Sequence, residues 1–332
     1  MRRTITYLAV LSFVSLALSG YAVGPENPYM GNWEGRWHDE EFLEGTLSAQ
    51  IIAQGKGAYR AVISADIGEL EPVRGEARGK RDGEKVAFKG TIDVGPENGG
   101  VLQVTGEISG AKFSGRFFGE NRGRFEMKKL LKVSPTLGAK PPEGAIVLFD
   151  GKDKTKWSKN GKDDTPNPWK VVEGAMEVAR GKGSIQTKKQ FRDFKLHLEF
   201  CLDFMPTARG QGRCNSGVYL PGGNEIQVLD SFGLKPSRHD CGAFYGQAAP
   251  LVNACLPPGE WQTYDVTFIA PRFDDKGERI ENAIITVFHN GIKTHDQFHP
   301  RREGVPSGRI LLQDHGNRLW YRNIWVVPLK TD

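Results

Sequence analysis

Glu225 and Gln227 stand two residues apart in Glu225-Ile226-Gln227-Val228-Leu229-Asp230, a run with the alternation of a β-strand. Residues so spaced share a strand face about 6.6 Å apart, so the carboxylate and the carboxamide point together. Asp230 faces away from them unless a β-bulge inserts one residue before it. Asn215 and Tyr219 precede this run in Asn215-Ser216-Gly217-Val218-Tyr219. Asp314 and His315 follow in Leu312-Gln313-Asp314-His315-Gly316, and Arg322 in Tyr321-Arg322-Asn323-Ile324. Polar groups cost free energy when buried without partners, so a chain that sets several of them on strands is building a site. Such a set can hold hydroxyls, move protons and stabilise developing negative charge, and a sugar is the natural ligand.

The elements that must position these groups are strands. After residue 144, residues 145–149 form a buried-type run that ends in the turn Asp150-Gly151, and residues 194–200 alternate with Phe194, Leu196, Leu198 and Phe200 on one face. Lys195, His197 and Glu199 occupy the other face. Residues 261–268 and 283–288 are further strands, and no helix longer than two turns is evident. About 185 residues of short strands predict a large sandwich of two antiparallel sheets. Residues 134–144 carry three Pro without periodicity and read as an extended connector. Before them, alternating runs at 45–52, 59–63, 85–90 and 112–117, separated by Gly, predict a smaller antiparallel barrel or sandwich over residues 23–133. Its polar residues show no convergent pattern and leave its role unknown.

Residues 1–22 read as a secretory leader: Arg2 and Arg3, an apolar run over 8–18, and Gly20-Tyr21-Ala22 before the cut. Export to the periplasm or the exterior is therefore expected. The apolar run is short for a membrane span, so no transmembrane segment is expected after processing. The formal charge falls from +5 to +3 once Arg2 and Arg3 are removed, a balance that has no need of a nucleic-acid partner. Cys201, Cys214, Cys241 and Cys255 fall in one 55-residue window without metal-ligand spacing. In an exported chain they predict two disulfides, Cys201 with Cys214 and Cys241 with Cys255 among the three possible connectivities.

The chain from about 145 to 329 resembles the 3-keto-disaccharide hydrolases, also described as 3-keto-glucoside lyases and 3-keto-2-hydroxy-glucal hydratases. The likeness rests on motifs in order: Leu148-Phe149-Asp150-Gly151 with Trp157, Trp169 with Glu173-Gly174, Asp193-Phe194-Lys195-Leu196 and Asn215-Ser216-Gly217. Glu225-Ile226-Gln227, Gly242-Ala243-Phe244-Tyr245-Gly246, Gly259-Glu260-Trp261, Leu312-Gln313-Asp314-His315-Gly316 and Arg322-Asn323-Ile324 continue the series. The resemblance implies a concanavalin-like lectin/glucanase sandwich and an activity on 3-keto-glycosides, by β-elimination across C1 and C2 and hydration of the enone. It does not extend to residues 23–140.

In that chemistry Glu225 is the expected base or metal ligand, His315 the proton-transfer partner and Arg322 the charge stabiliser, with Asp230 a further catalytic candidate. Asn215, Gln227, Asp314, Tyr219, Tyr245 and His239 are the candidate substrate contacts. Structural alternatives stand beside them: Asp230 could cap the turn that follows it, Arg322 could pair with a buried acid, and His239 could be a solvated loop residue. One divalent cation, held by Glu225 or His315, would polarise the neighbouring oxygens on C2 and C3, and no nucleotide cofactor is expected. The alternatives from other classes are a lectin-like carbohydrate-binding protein without chemistry and an ordinary glycoside hydrolase.

Overall fold

Period-two alternation in the first part of the chain closes on itself. In the computed structural model, which describes residues 27–41, 43–68, 72–301 and 304–330, eight antiparallel strands pair in chain order and the last returns to the first. They are Gly31–Asp39, Glu44–Gly55, Ala58–Ala65, Val73–Asp82, Lys85–Asp93, Val101–Ser109, Lys112–Phe118 and Arg122–Leu130. The leader expected over residues 1–22 lies outside the described residues. Alternate side chains turn inward, and Trp33, Phe88, Phe113 and Phe125 pack edge to face or tilted against one another at the barrel centre. Lys56 and Gly57 both take positive φ (51° and 70°) between the second and third strands, the two-residue turn whose twist matches that of the strands it joins.

Residues 146–328 form the expected two-sheet sandwich. One sheet has six strands in the order Lys162–Pro166, Trp157–Lys159, Ile185–Thr187, Leu311–Leu312, Ser216–Leu220 and Asn224–Val228. The facing sheet runs Lys170–Val172, Ala175–Glu177, Leu319–Pro328, Phe194–Leu202, Trp261–Ile269, Ile284–His289 and Ile292–Phe298, with Ile146–Phe149 also paired to Leu319–Pro328. Phe194, Leu196, Leu198 and Phe200 meet Val218, Ile226, Val228 and Leu312 in the core between them. Burial of this kind is worth about 1.5–3 kcal/mol per large apolar side chain. Among the described residues, no sheet holds strands from both sides of residues 131–145.

The Pro-rich connector is not a free tether. It lies on the outer face of the larger sheet: Ser134 Oγ meets Thr263 Oγ1 at 2.6 Å, Thr136 donates to Asp265 at 2.6 Å, and Gly138 N–H donates to Glu199 Oε1 at 2.6 Å. His197 and Glu199, on the polar side of an alternating strand, are thereby buried. The barrel and the sandwich also touch directly. Phe232 from the sandwich joins the barrel's apolar cluster, and Arg60 donates to the Gly233 carbonyl at 2.8 Å.

The two expected disulfides are corrected: all four cysteines are free and buried. Cys201 packs with Ala175, Trp261 and Trp320, whereas Cys214 belongs to the core between the sheets. Those clusters lie on opposite faces of the larger sheet, so the two thiols point apart. Cys241 and Cys255 both lie in the core as free thiols: Cys241 Sγ meets the Tyr264 hydroxyl at 3.2 Å and Cys255 Sγ donates to the Leu256 carbonyl at 3.4 Å.

Candidate functional site

Strand register decides which polar groups meet. In the six-stranded sheet Tyr219 pairs with Glu225 and Gly217 with Gln227, while Tyr219 also pairs with Leu311 and Leu311 with Gln186. These residues alternate with Val218, Ile226, Leu312 and Ile185, which fill the core. Glu225, Gln227, Tyr219, Gln313 and Gln186 therefore share the sheet's outer face.

Residues 242–245 extend that face as a further edge. Gly242 N–H donates to the Gln227 carbonyl, Gln227 N–H to the Ala243 carbonyl and Tyr245 N–H to the Glu225 carbonyl, at 2.9–3.0 Å. Phe244 pairs with Ile226 and turns into the core, which leaves Tyr245 on the outer side next to Glu225. The His239 and Tyr245 rings meet edge to face with centroids 5.2 Å apart.

Two local features shape this face. Glu225 leans diagonally across the neighbouring strand over Gly217, where a Cβ would come within 2.3 Å of Oε1 and 3.0 Å of Cγ and Cδ. The glycine is thus what lets the carboxylate lie against the sheet. Gln211, from the loop before the strand, gathers the carboxamides: its Oε1 accepts from Asn215 Nδ2 and from Gln227 Nε2, both at 3.0 Å, while its Nε2 donates to the His239 carbonyl at 2.8 Å. Gln313 Nε2 donates to the Tyr219 hydroxyl at 3.1 Å, and its own Oε1 is buried without a hydrogen-bond partner among the described residues.

Asn215, Gln227, Tyr219, Tyr245 and His239 thus gather around Glu225, and four other expected residues do not. The strand Asn224–Val228 keeps an unbroken register with its neighbour and ends before Asp230, so the expected bulge is absent. Asp230 turns inward to a buried ion pair with Arg213 at 2.6 Å and accepts the Phe232 N–H at 3.2 Å, the turn-capping alternative. Burial pushes its carboxyl up, against the opposing pull of the Arg213 guanidinium. Asp314 gives both oxygens to backbone, accepting from Gly183 and Gly316 N–H at 2.9 Å each, which fixes the end of its strand. His315 sits on the exposed turn that follows.

Arg322 is on the other sheet altogether. Its Nε donates to Glu199 Oε2 at 2.7 Å and its guanidinium lies 3.8 Å over the Trp261 ring, on the outer side under the connector. The whole sandwich separates it from Glu225, since facing sheets alone stand about 10 Å apart. This too is the buried-acid alternative. His197 Nδ1 meets Asp265 Oδ1 at 2.6 Å in the same cluster. Burial works against ionised Glu199, but hydrogen bonds from His197, Asn323, Arg322 and Gly138 N–H outweigh it and hold the carboxyl near 2.

The described residues offer no ligand set for a divalent cation. Among the described residues no group of three or more His, Cys, Asp or Glu side chains comes together as a ligand set. Glu225 shares its face with the Gln227 carboxamide and the Tyr219 and Tyr245 phenols, and His315 stands on a separate turn. Hard cations ask for several oxygen ligands, carboxylates foremost.

Sequence reading missed Gln211, Gln313 and Gly217 as parts of the site. Gln313 carries a usable signal, since it continues the outward alternation from Leu311. Gln211 lies in a Gly-flanked loop and carries none.

The same stretch is matched by known proteins. Residues 144–327 match the family described as the 3-keto-alpha-glucoside-1,2-lyase-like domain. A 3-keto-disaccharide hydrolase of Bacteroides thetaiotaomicron is 23% identical over 239 residues, 56% of this chain and 79% of that protein. A crystal structure from Parabacteroides distasonis, described as a candidate glycosyl hydrolase, superposes with a TM-score of 0.53 at 36% identity, covering 57% of this chain and 85% of that one. With more than half of its length matched, and with the sandwich that the motifs imply, the chain belongs to the 3-keto-alpha-glucoside-1,2-lyase-like family.

Proposed function

We propose that this carbohydrate-active enzyme acts on glycosides oxidised at C3 and cleaves them by elimination and hydration, with Glu225 as the base. One observation carries the reading: among the described residues, the sheet face brings one carboxylate, Glu225, to the polar cluster. On the same face Asp163 accepts a hydrogen bond from Gln186 Nε2 at 2.9 Å, and Gln186 alone is three strand spacings, roughly 14 Å, from Glu225. A retaining glycosidase needs two carboxyl groups about 5–5.5 Å apart and an inverting one about 6.5–9.5 Å. An elimination needs only one base, because a keto group at C3 acidifies the hydrogen on C2.

In this mechanism Glu225 takes the proton from C2 and the charge passes to the oxygen at C3. Tyr219, oriented by Gln313, donates to that oxygen. The electron pair then forms the C1–C2 double bond as the bond from C1 to the aglycone oxygen breaks. Tyr245 or His239, beside Glu225, gives the departing oxygen its proton. Water next adds its oxygen at C1 and a proton returns to C2, so the net reaction is hydrolysis to the free 3-keto sugar. Asn215, Gln227 and Gln211 bind hydroxyls. The leader-like residues 1–22 support export of the enzyme to such substrates.

The test is turnover of a 3-keto-glucoside in heavy water, read by mass spectrometry. Elimination places one deuterium on C2 of the product, and Glu225→Gln abolishes exchange and cleavage together. Cleavage without deuterium means direct displacement at C1, and binding without either event means a lectin; both outcomes reject the proposal.

A further inference from the structure

We infer that the barrel is a second binding site, for one small apolar molecule about the size of an aromatic ring and bearing an oxygen. The cavity that carries this inference lies inside the barrel, bounded by Leu47, Ile63, Ala65, Ile92, Leu102 and Val104, and measures about 120 Å³. An apolar cavity of about 150 Å³ is known to stay dry and to bind benzene. Barrels of eight strands have interiors that side chains just fill or that hold one small ligand.

The sequence explains why this barrel does both. Aromatic rings of Trp33, Phe88, Phe113 and Phe125 close its centre. Ala65, inward on the strand Ala58–Ala65, however, supplies little bulk to the cavity wall. A space persists beside it, among Leu47, Ile63, Ile92, Leu102 and Val104, toward one end of the barrel.

The mouth is of a different character. Trp37, Asp39, Asn98 and Asn121 stand at that end. Asn121 Nδ2 donates to the Asn98 carbonyl at 3.0 Å, while Asn98 Nδ2 is buried without any hydrogen-bond partner among the described residues. An unmet buried donor is costly. A turn about its broad terminal torsion brings this amide to an oxygen seated at the mouth. An apolar body inside and an acceptor at the rim together describe a phenol or a comparable alcohol, not a sugar. The loops and side chains that touch the sandwich, at Gln54, Arg60 and Phe232, are not those of the mouth, so this site works apart from the Glu225 face.

Phenol and benzene, titrated separately into the full chain by calorimetry, test the inference. Each should bind once per chain, and Ala65→Phe should abolish both by filling the space. Asn98→Ala should weaken phenol roughly two- to tenfold, the worth of one hydrogen bond, and leave benzene unchanged. If Ala65→Phe fails to fold, magnetisation transfer from bound phenol to the Trp37 and Phe117 rings in the unaltered protein takes its place. No binding, binding that Ala65→Phe leaves intact, absence of transfer to those rings, or displacement of phenol by a 3-keto-glucoside would each overturn the assignment.

Discussion

Gly217→Ala separates the stability of the sandwich from its chemistry. The backbone at Gly217 is ordinary strand, so alanine meets no conformational barrier there. Its Cβ would lie 2.3 Å from Glu225 Oε1 and 3.0 Å from Cγ and Cδ. Ordinary contact lies near 3.5–4 Å, so the carboxylate must withdraw by about 1–1.5 Å. Only the end of a flexible side chain has to move, and alanine suits a strand better than glycine, by roughly 0.5–1 kcal/mol where it fits. Thermal unfolding should therefore shift by a few degrees at most. Catalysis should not be spared: a misplacement of about 1 Å at a reacting group can cost about 100-fold. Steady-state kinetics on a 3-keto-glucoside should show kcat/KM falling about 100-fold, with most of the loss in kcat. Unchanged kinetics in a folded Gly217→Ala protein would show that the carboxylate's position over residue 217 is not used, and the assignment of Glu225 as the base would fail with it.

Further expectations concern the other side of the sandwich and the thiols. Glu199 is held near 2 from its ordinary 4.5, so its ionised form contributes on the order of 3 kcal/mol, fully present above pH 4.5 and lost as pH falls toward 2. Chemical denaturation across that range should find wild type more stable than Glu199→Gln at pH 6, with the gap closing below pH 4.5; a gap that stays constant refutes the linkage. The native protein should leave all four buried thiols unreacted with a thiol reagent and show four after unfolding without reductant, whereas fewer than four would restore a disulfide. Burial pushes Cys201 up to about 12, which slows its reaction further, because the thiolate is the reactive form.

The sequence by itself determined the strand-and-turn construction, the change of architecture around residues 134–144 and the membership of the second part. These are local properties: alternation with period two, Gly and Pro at turns, and motifs in a fixed order. It also determined that Glu225 and Gln227 share a face, because the pleat has period two. What tertiary structure alone decided is which strands lie side by side and which face each one shows. Arg322 follows a motif that reads as part of the site, yet its strand joins the larger sheet and its side chain turns outward to Glu199. Asp230 stands close to Glu225 in sequence, yet its strand ends at Val228 and the chain bends toward Arg213. Conversely, Gln211 reaches Gln227 and Tyr245 reaches Glu225 from loops that alternation cannot read. The barrel's cavity belongs to the same class, since the small side chain of Ala65 matters only when the other strands close around it. Local sequence fixes the direction of a side chain relative to its own strand; its neighbours depend on contacts between residues far apart in the chain, and those exist only once the sheets have packed.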